Sequence, residues 1–469
     1  MTSEADEGVL DYQRLAPMSP MAKVLGYLFG LPVREYVMSL ATLPLTLWCV
    51  IRGEVPWKVA GMLYVAFFVS TLLYHLTGLV ASTVVKNRRW AFLISMGAIF
   101  FLYTIMPQIA KFGLPYFQYL TIRPVFEESL PYLITRTAGA GVQSLNALLP
   151  HARFFNLDLP EAVFTVATQL VLILSALVML ARRWRRKESH LLGKGWALGL
   201  FAWLQALLLG NALPLVESGD LYPSRALRRF TFLLQQDWHP EGMEAVALAG
   251  TYGLITLLMI WVFTVMITPS TETQRRGWLR ARKLGHTRLH LGSDPATSFV
   301  WTTAMAVAGA AGWWIFTRAV IESRWFPGQV IPTHLPATYA LVLLGGGLGF
   351  QALLEWQGAR VVGLCAILIG VVPLLLSAIA GAIDDRLIGT ASWLAAISPL
   401  SAPVFAAGST LPLAELPLDL TRALPRAFWF WQGITVLVTL RCITGLYQSR
   451  KRIARETPEE ETAQERNSR

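Results

Sequence analysis

Long apolar segments alternate with short polar ones along most of the chain. About 20 consecutive apolar residues are needed for a helix to cross the hydrocarbon core of a bilayer. Segments of this kind are found at residues 37–51, 58–85, 90–110, 162–181, 192–213, 243–267, 296–321, 337–354, 361–383 and 427–446. The pattern predicts an all-α polytopic membrane protein with about ten transmembrane helices.

Arg and Lys residues cluster in the short segments that separate these spans. They occur at residues 86–89, 182–187 and 449–455, and above all in the central segment 268–294. Positively charged short loops stay on the cytoplasmic side of a membrane, so these clusters predict the orientation and place both termini in the cytoplasm. Asp294 followed by Pro295 predicts the start of the next helix, because Asp caps free amides and Pro suits a first helical position.

Two segments contain apolar pieces interrupted by proline. The first covers residues 113–160, and the second covers residues 393–408 with Pro399 and Pro403. A broken helix exposed to lipid leaves backbone groups unpaired, so the first segment is predicted to lie outside the membrane or to be re-entrant and shielded by protein. The second is predicted to be a re-entrant external hairpin, because a full crossing would place the basic residues 449–455 outside.

Spans one to four and spans seven to ten follow the same order of elements. Each set begins with a basic segment and ends with a Pro-rich segment and a last span closed by Arg and Lys. The pattern predicts two parallel repeat-like halves. Spans five and six have no counterpart before the first copy, so a complete two-fold arrangement needs about two further spans from another membrane subunit.

The predicted regions are a cytoplasmic tail with an interfacial helix (1–36), a first unit of four spans (37–187), two additional spans (188–267), a basic loop (268–295), a second unit with the hairpin (296–448) and a disordered tail (449–469), whose residues 456–469 lack apolar periodicity.

The composition agrees with a membrane protein. Only 15% of the 469 residues are charged and the mean hydropathy is +0.48, whereas soluble domains carry about 25% charged residues. The net charge of +11 comes from residues beside apolar segments, so it indicates membrane topology and not a nucleic-acid partner. Cys49, Cys365 and Cys442 are far apart in sequence and have neither metal-ligand nor disulfide spacing.

Polar residues inside the predicted spans are candidates for function, because ionisable groups are costly in a membrane. The candidates are His75, Gln205, Glu355 and Arg441. Three of them also have a structural interpretation: His75 as a hydrogen-bonded packing residue, Glu355 as the partner of Arg360 across a short turn, and Arg441 as a snorkelling side chain.

An enzymatic alternative has weaker support. The chain contains no HExxH motif and no nucleophile elbow. A membrane transferase would use acidic residues in an external loop, for which Glu127 with Glu128, or Asp384 with Asp385, are available.

Several segments resemble a known family. LGYLFGLPVREYV (25–37), STVVKNRRWAF (82–92) and WLAAISPLSAPV (393–404) resemble ABC transporter permeases of the six-span export class, similar to type V ABC exporters. The segment TPSTETQRRGWLRARKLG (268–285) lies where that family has the coupling helix of a second unit. The resemblance implies that the residues coupling the membrane helices to an ATPase are Arg34, Glu35, Tyr36, Arg275, Arg276 and Arg280.

The resemblance also implies a division of labour between chains. No GxxxxGK[ST] motif occurs in the sequence, so ATP and magnesium are expected in a partner ATPase subunit. The chain itself is then a transport subunit and not an enzyme, without a cofactor or metal of its own, in the cytoplasmic (inner) membrane of a bacterium. Its partners would be the ATPase, the bilayer and a further membrane subunit. The alternatives are an ATP-independent membrane transferase and a membrane assembly scaffold.

Overall fold

The computed structural model describes residues 16–84, 88–133, 152–186, 189–225, 238–286, 289–411 and 418–467. Within these ranges the regular structure is almost entirely helical, and nine helices are long and apolar enough to cross a membrane. The chain is therefore an all-α polytopic membrane protein, as the sequence predicts. Lys86, Lys187 and Arg288 of the predicted basic loops lie outside the described residues, as do residues 134–151 of the first Pro-rich segment.

The chain divides into two compact units, of which the first contains residues 1–191 and 210–214. Its longer elements are α1 (Pro20–Gly30), α2 (Val33–Arg52), α3 (Trp57–Val84), α4 (Arg88–Phe100), α5 (Met106–Ile109), α6 (Arg123–Leu133), the antiparallel strands β1 (Ala152–Phe154) and β2 (Leu157–Leu159), and α7 (Glu161–Arg185). Helix α7 packs along α3, and α1 packs across α7. Val24 and Leu28 of α1 are buried there against Leu76 of α3 and Trp184 of α7, which anchors the short N-terminal helix by apolar burial.

The second unit contains the remaining longer helices, except for residues 210–214 of the first of them. These are α8 (Lys194–Ser218), α9 (Gly242–Ile267), α10 (Thr271–Lys283), α11 (Phe299–Ile321), α12 (Leu335–Gln357), α13 (Ala359–Cys365), α14 (Val372–Ile383), α15 (Ile388–Ala395), α16 (Ala402–Thr410) and α17 (Leu418–Asn467). Helix α12 packs between α11 and α17. Gly253 of α9 admits the indole of Trp313, since a Cβ at this position would lie 2.4 Å from that ring. The Trp313 ring stacks on Tyr339 with a centroid distance of 3.6 Å, so close packing of small and large residues joins α9, α11 and α12.

The predicted first span, residues 37–51, lies within α2 but α2 is not among the nine membrane-spanning candidates. Arg34, Glu35 and Arg52 stand near the two ends of this 20-residue helix and lower its mean hydropathy. The other nine predicted spans correspond to the nine candidate helices. The count of ten is therefore one higher than the structure supports by length and composition.

The third span of each predicted repeat is interrupted by a π-helical turn. These turns are Phe101–Ile105 in the first unit and Ala366–Val371 in the second, and the second residue after each is a proline, Pro107 or Pro373. Proline has no N–H and its ring clashes with the carbonyl four residues earlier, so a wider turn accommodates it. This shared position is a resemblance between the two units that hydropathy alone does not reveal.

Helices α15 and α16 form a hairpin that returns along the preceding span. The Ser398 hydroxyl, in the turn between them, donates a 2.6 Å hydrogen bond to the carbonyl of Gly370. Gly370 lies in the π-helical turn, thirteen residues before the end of α14 at Ile383, which corresponds to about 20 Å at ~1.5 Å per residue. The hairpin therefore has the re-entrant geometry that the sequence predicts.

One part of the first Pro-rich segment, a 3₁₀ turn, is shielded by protein. The 3₁₀ turn Pro115–Leu120 has buried side chains. Gln169 of α7 donates a 3.1 Å hydrogen bond to the carbonyl of Tyr119 and its own oxygen accepts one from Ser70 of α3. The carbonyl of Tyr119 is thus paired inside the first unit, where an unsatisfied group would be costly.

Two local predictions are wrong. Helix α11 begins at Phe299 after Ser298 and not at Asp294–Pro295, because Pro295 instead packs against Gly277 of α10. The predicted disordered tail is helical up to Asn467, as a continuation of α17. Extending a formed helix avoids the cost of nucleation, and the tail is rich in residues of high helix propensity.

Candidate functional site

Helix α10 forms inside the basic segment that separates two spans. The Ser270 hydroxyl precedes its first turn and accepts a hydrogen bond from the backbone N–H of Thr273 at 3.2 Å. Glu272 stands in the first turn, whereas Arg280, Arg282 and Lys283 stand in the last. Acidic residues at the start and basic residues at the end complement the helix dipole. The charges that indicate topology in the sequence therefore also stabilise a helix.

The two faces of α10 differ in burial. Gln274 and Ala281 are buried, and between them Gly277 contacts Pro295, since a Cβ on Gly277 would lie 2.1 Å from the Cβ of that proline. On the opposite face, the side chains of the predicted coupling residues are exposed: Arg275, Arg276 and Arg280. The helix therefore presents a row of arginines away from the unit to which its other face is fixed.

The buried face of α10 contacts the carboxylate of Glu355, near the end of α12. The side chain of Glu355 is 0% exposed, and it forms an ion pair with Arg450 of α17. Its Oε1 also accepts a hydrogen bond from Nε2 of Gln274 at 3.1 Å. Its Oε2 accepts from Nε2 of Gln351 at 2.6 Å and from the hydroxyl of Thr297 at 3.3 Å. We call these five residues the Glu355 cluster. It connects α10, α12 and α17 with the segment that precedes α11.

Lys194, at the first position of α8, holds the same preceding segment. Its ammonium donates to the carbonyls of Ser293 and Ala296 at 2.7 Å each, and to that of Thr297 at 3.4 Å. A buried ammonium without such acceptors would be strongly unfavourable. Lys194 thus fixes residues 293–297 to the start of α8, and the hydroxyl of Thr297 continues the connection to Glu355.

Two of the predicted intramembrane residues have packing roles. Gln205 of α8 accepts a 2.7 Å hydrogen bond from the hydroxyl of Tyr252 and donates a 3.3 Å bond to Thr256. Gly312 makes room for this network, since a Cβ there would lie 2.9 Å from the Gln205 oxygen. The guanidinium of Arg441 lies 5.2 Å from the centre of the Trp356 ring, a cation–π contact on the surface of α17.

The remaining predicted residues belong to the first unit. Arg34 and Glu35 are exposed and Tyr36 is half-buried, all in the first turn of α2. His75 of α3 lies close to them, with its ring centroid 6.5 Å from that of Tyr36. The structure therefore brings Glu35, Tyr36 and His75 together, and it separately connects Glu355 with the predicted coupling helix α10.

The sequence does not identify the other four members of the Glu355 cluster, nor Lys194 beside it. Gln274 and Arg450 lie within basic segments that indicate topology, and Lys194 stands at the start of an apolar helix. The prediction that Glu355 pairs with Arg360 is wrong, since its partner is Arg450. Gly358, with a φ of 85°, ends α12 between Glu355 and Arg360 and redirects the chain. An isolated lysine at the start of an apolar helix was the one available signal.

The acidic residues considered for a transferase are engaged locally. Glu127 forms a 2.6 Å ion pair with Arg123 one turn earlier in α6. The Asp384 carboxylate accepts a 2.9 Å hydrogen bond from the backbone N–H of Arg386. Among the residues that the structure describes, no group of three or more His, Cys, Asp or Glu side chains is arranged to hold a metal ion.

Comparisons with protein families, with curated proteins and with solved structures find no match to this chain.

Proposed function

We propose that the chain is the membrane permease subunit of a multi-component ABC exporter, in which a separate subunit hydrolyses ATP. The observation that carries this proposal is the construction of α10. One face of the helix is exposed and basic, and the other is fixed by the Glu355 cluster to the end of α12 and to Arg450 of α17. A helix built in this way is suited to receive a displacement from a soluble partner and to pass it to membrane helices.

The hydrogen bonds and the ion pair inside the Glu355 cluster explain how a displacement of α10 would be passed to α12 and α17. Hydrogen bonds to a buried carboxylate are strengthened by the low local dielectric, and breaking one leaves a buried charged group unsatisfied. A displacement of α10 therefore moves Gln274 together with Glu355 and Arg450, instead of separating them. The π-helical turns in the third spans provide places where long helices can bend in response.

The exposed arginines are the appropriate residues for a test. Ion pairs on a protein surface contribute about 0–1 kcal/mol to stability, so reversing these charges should leave the fold intact. In the proposed arrangement α10 faces the cytoplasm of a bacterial cell, where an ATPase can bind. The N-terminus and α1 share that side only if α2 also crosses the membrane, because nine crossings place the two termini on opposite sides.

The test is affinity purification of the tagged native protein in mild detergent, followed by mass spectrometry of co-purifying proteins. We expect a stoichiometric ABC ATPase that is lost from the double variant Arg275→Glu with Arg276→Glu. The matched control is Lys451→Glu with Arg452→Glu, which reverses two exposed charges on α17 and should retain the ATPase. Recovery of the intact chain without an ATPase at any salt concentration would exclude the exporter.

The same purification bears on the rest of the complex. A second membrane protein present in equal amount would support the need for about two additional spans, and its absence would contradict that part of the proposal. An assembly scaffold would instead bring down partners without an ATPase. A transferase would act as the isolated chain.

A further inference from the structure

A cavity of about 420 Å³ lies in the first unit, where the turn between α1 and α2 meets α3 and α4. This volume is within the range of small-molecule sites. Most of its lining is apolar or aromatic, and six of the residues that line it are Tyr27, Leu31, Glu35, Tyr74, His75 and Ile99. Glu35 is the one Asp, Glu, Lys or Arg among the described residues that line the cavity. The cavity thus combines apolar walls with a carboxylate.

Two polar atoms beside this cavity have no hydrogen-bond partner among the described residues. These are Nδ1 of His75 and the hydroxyl of Tyr36, both buried. Leaving a buried polar group unpaired costs about 1–3 kcal/mol, so a ligand that supplies a partner gains affinity here. Burial raises the pKa of Tyr36 above its ordinary value, which keeps the phenol neutral.

The side chains around the cavity match an ammonium group. Tyrosine rings attract cations through their π faces, and aromatic groups with a carboxylate are the usual means of binding amines. Within the described ranges, neither Lys nor Arg lines this cavity. Lys23 instead lines an adjoining cavity of about 320 Å³, which shares Tyr27 and Leu31 with the first. Lys23 therefore lines a cavity that adjoins the one lined by Glu35.

Apolar side chains around the same turn are exposed. Phe29, Leu31 and Val33 are 42%, 59% and 51% exposed. In a membrane protein, exposed side chains of this kind contact lipid. The short helix α1 joins α2 at this turn, so the cavity opens beside a surface that is suited to the boundary between headgroups and acyl chains.

We infer that the cavity binds a zwitterionic membrane lipid whose headgroup ends in an ammonium, of the phosphatidylethanolamine class. The amine lies against Glu35 and the tyrosine rings and donates to His75 and Tyr36. The phosphate lies towards Lys23, and an acyl chain follows Leu31 and Ile99. The site is a lipid site distinct from the transport machinery of α10, and it holds whether or not the chain has an ATPase partner.

The test is native mass spectrometry of the full chain, delipidated in detergent and titrated with palmitoyl-oleoyl phosphatidylethanolamine or with the phosphatidylglycerol of the same acyl chains. We expect the ethanolamine lipid to bind about tenfold more tightly. Glu35→Gln should reduce that preference about tenfold, as expected for loss of a charge-assisted hydrogen bond. Tyr36→Phe should weaken binding of the ethanolamine lipid about threefold.

The matched control is Glu54→Gln, which neutralises an exposed carboxylate just beyond the other end of α2. It should bind both lipids as the wild type does. Circular dichroism and thermal unfolding of each variant establish that it is folded. Equal binding of the two lipids by the wild type, or equal effects of Glu35→Gln and Glu54→Gln, would overturn the inference. No ATPase is present, so the result is independent of the proposed exporter function.

Discussion

Removal of Arg450 from the Glu355 cluster should destabilise the second unit strongly. Arg450→Met keeps most of the volume of the side chain and deletes its charge. The carboxylate of Glu355, 0% exposed, then loses its ion-pair partner. Removing one partner of a buried pair costs about 3–5 kcal/mol. Gln274, Gln351 and Thr297 still donate to the carboxylate, so the expected cost is at the lower end, about 3 kcal/mol.

A double variant separates the loss of pairing from the loss of packing. Glu355→Gln with Arg450→Met removes both charges. The new amide oxygen accepts from one of Gln274 and Gln351, and the side-chain amide of the other can turn so that its oxygen accepts from the new NH2 group. The double variant should be about 1–2 kcal/mol more stable than Arg450→Met alone, because no charge remains buried without a partner. Arg452→Met, at an exposed position two residues further along α17, should change stability by less than about 0.5 kcal/mol.

The measurement is the free energy of unfolding in mixed micelles with increasing dodecyl sulfate, followed by tryptophan fluorescence. The interpretation of the cluster would be refuted by equal losses in Arg450→Met and Arg452→Met. It would also be refuted if the double variant lost as much stability as the sum of its two single variants, since the two side chains would then act independently.

Two further predictions concern packing in the second unit, and both are measured by the same unfolding assay. Gly253→Ala should lower the free energy of unfolding by about 1–3 kcal/mol, because its Cβ would lie 2.4 Å from the Trp313 ring. The control is Gly199→Ala, which has open space around it and should be neutral or stabilising. Equal effects of the two variants would contradict close packing of Gly253 against Trp313. Ser398→Ala should cost about 1–3 kcal/mol by leaving the carbonyl in the π-helical turn without its donor. The control, Ser409→Ala, loses only a local hydrogen bond within α16 and should cost less. If Ser409→Ala cost more stability than Ser398→Ala, the hairpin would not be anchored at the carbonyl of Gly370.

Several features of this protein follow from the sequence because they depend on the hydropathy and charge of neighbouring residues added together. Mean hydropathy over about 20 residues determines which helices can cross a membrane, and nine of the ten predicted spans correspond to such helices. The re-entrant hairpin followed from a charge argument, because only a return to the same side keeps residues 449–455 with the other basic segments. The tenth predicted span, in α2, is the exception, because charged residues near both ends of this helix lower its mean hydropathy.

The membership of the sites was decided by tertiary structure alone. Glu355 is paired with Arg450, 95 positions away, and with Gln274, 81 positions away. Hydrogen bonds require distances near 3 Å, and the separation of residues along the chain carries no information at that scale. The same holds for His75 and Tyr36, which lie on different helices beside one cavity. Hydropathy determines which segments form spans, whereas packing of the helices determines which polar groups meet and are therefore stable in an apolar environment.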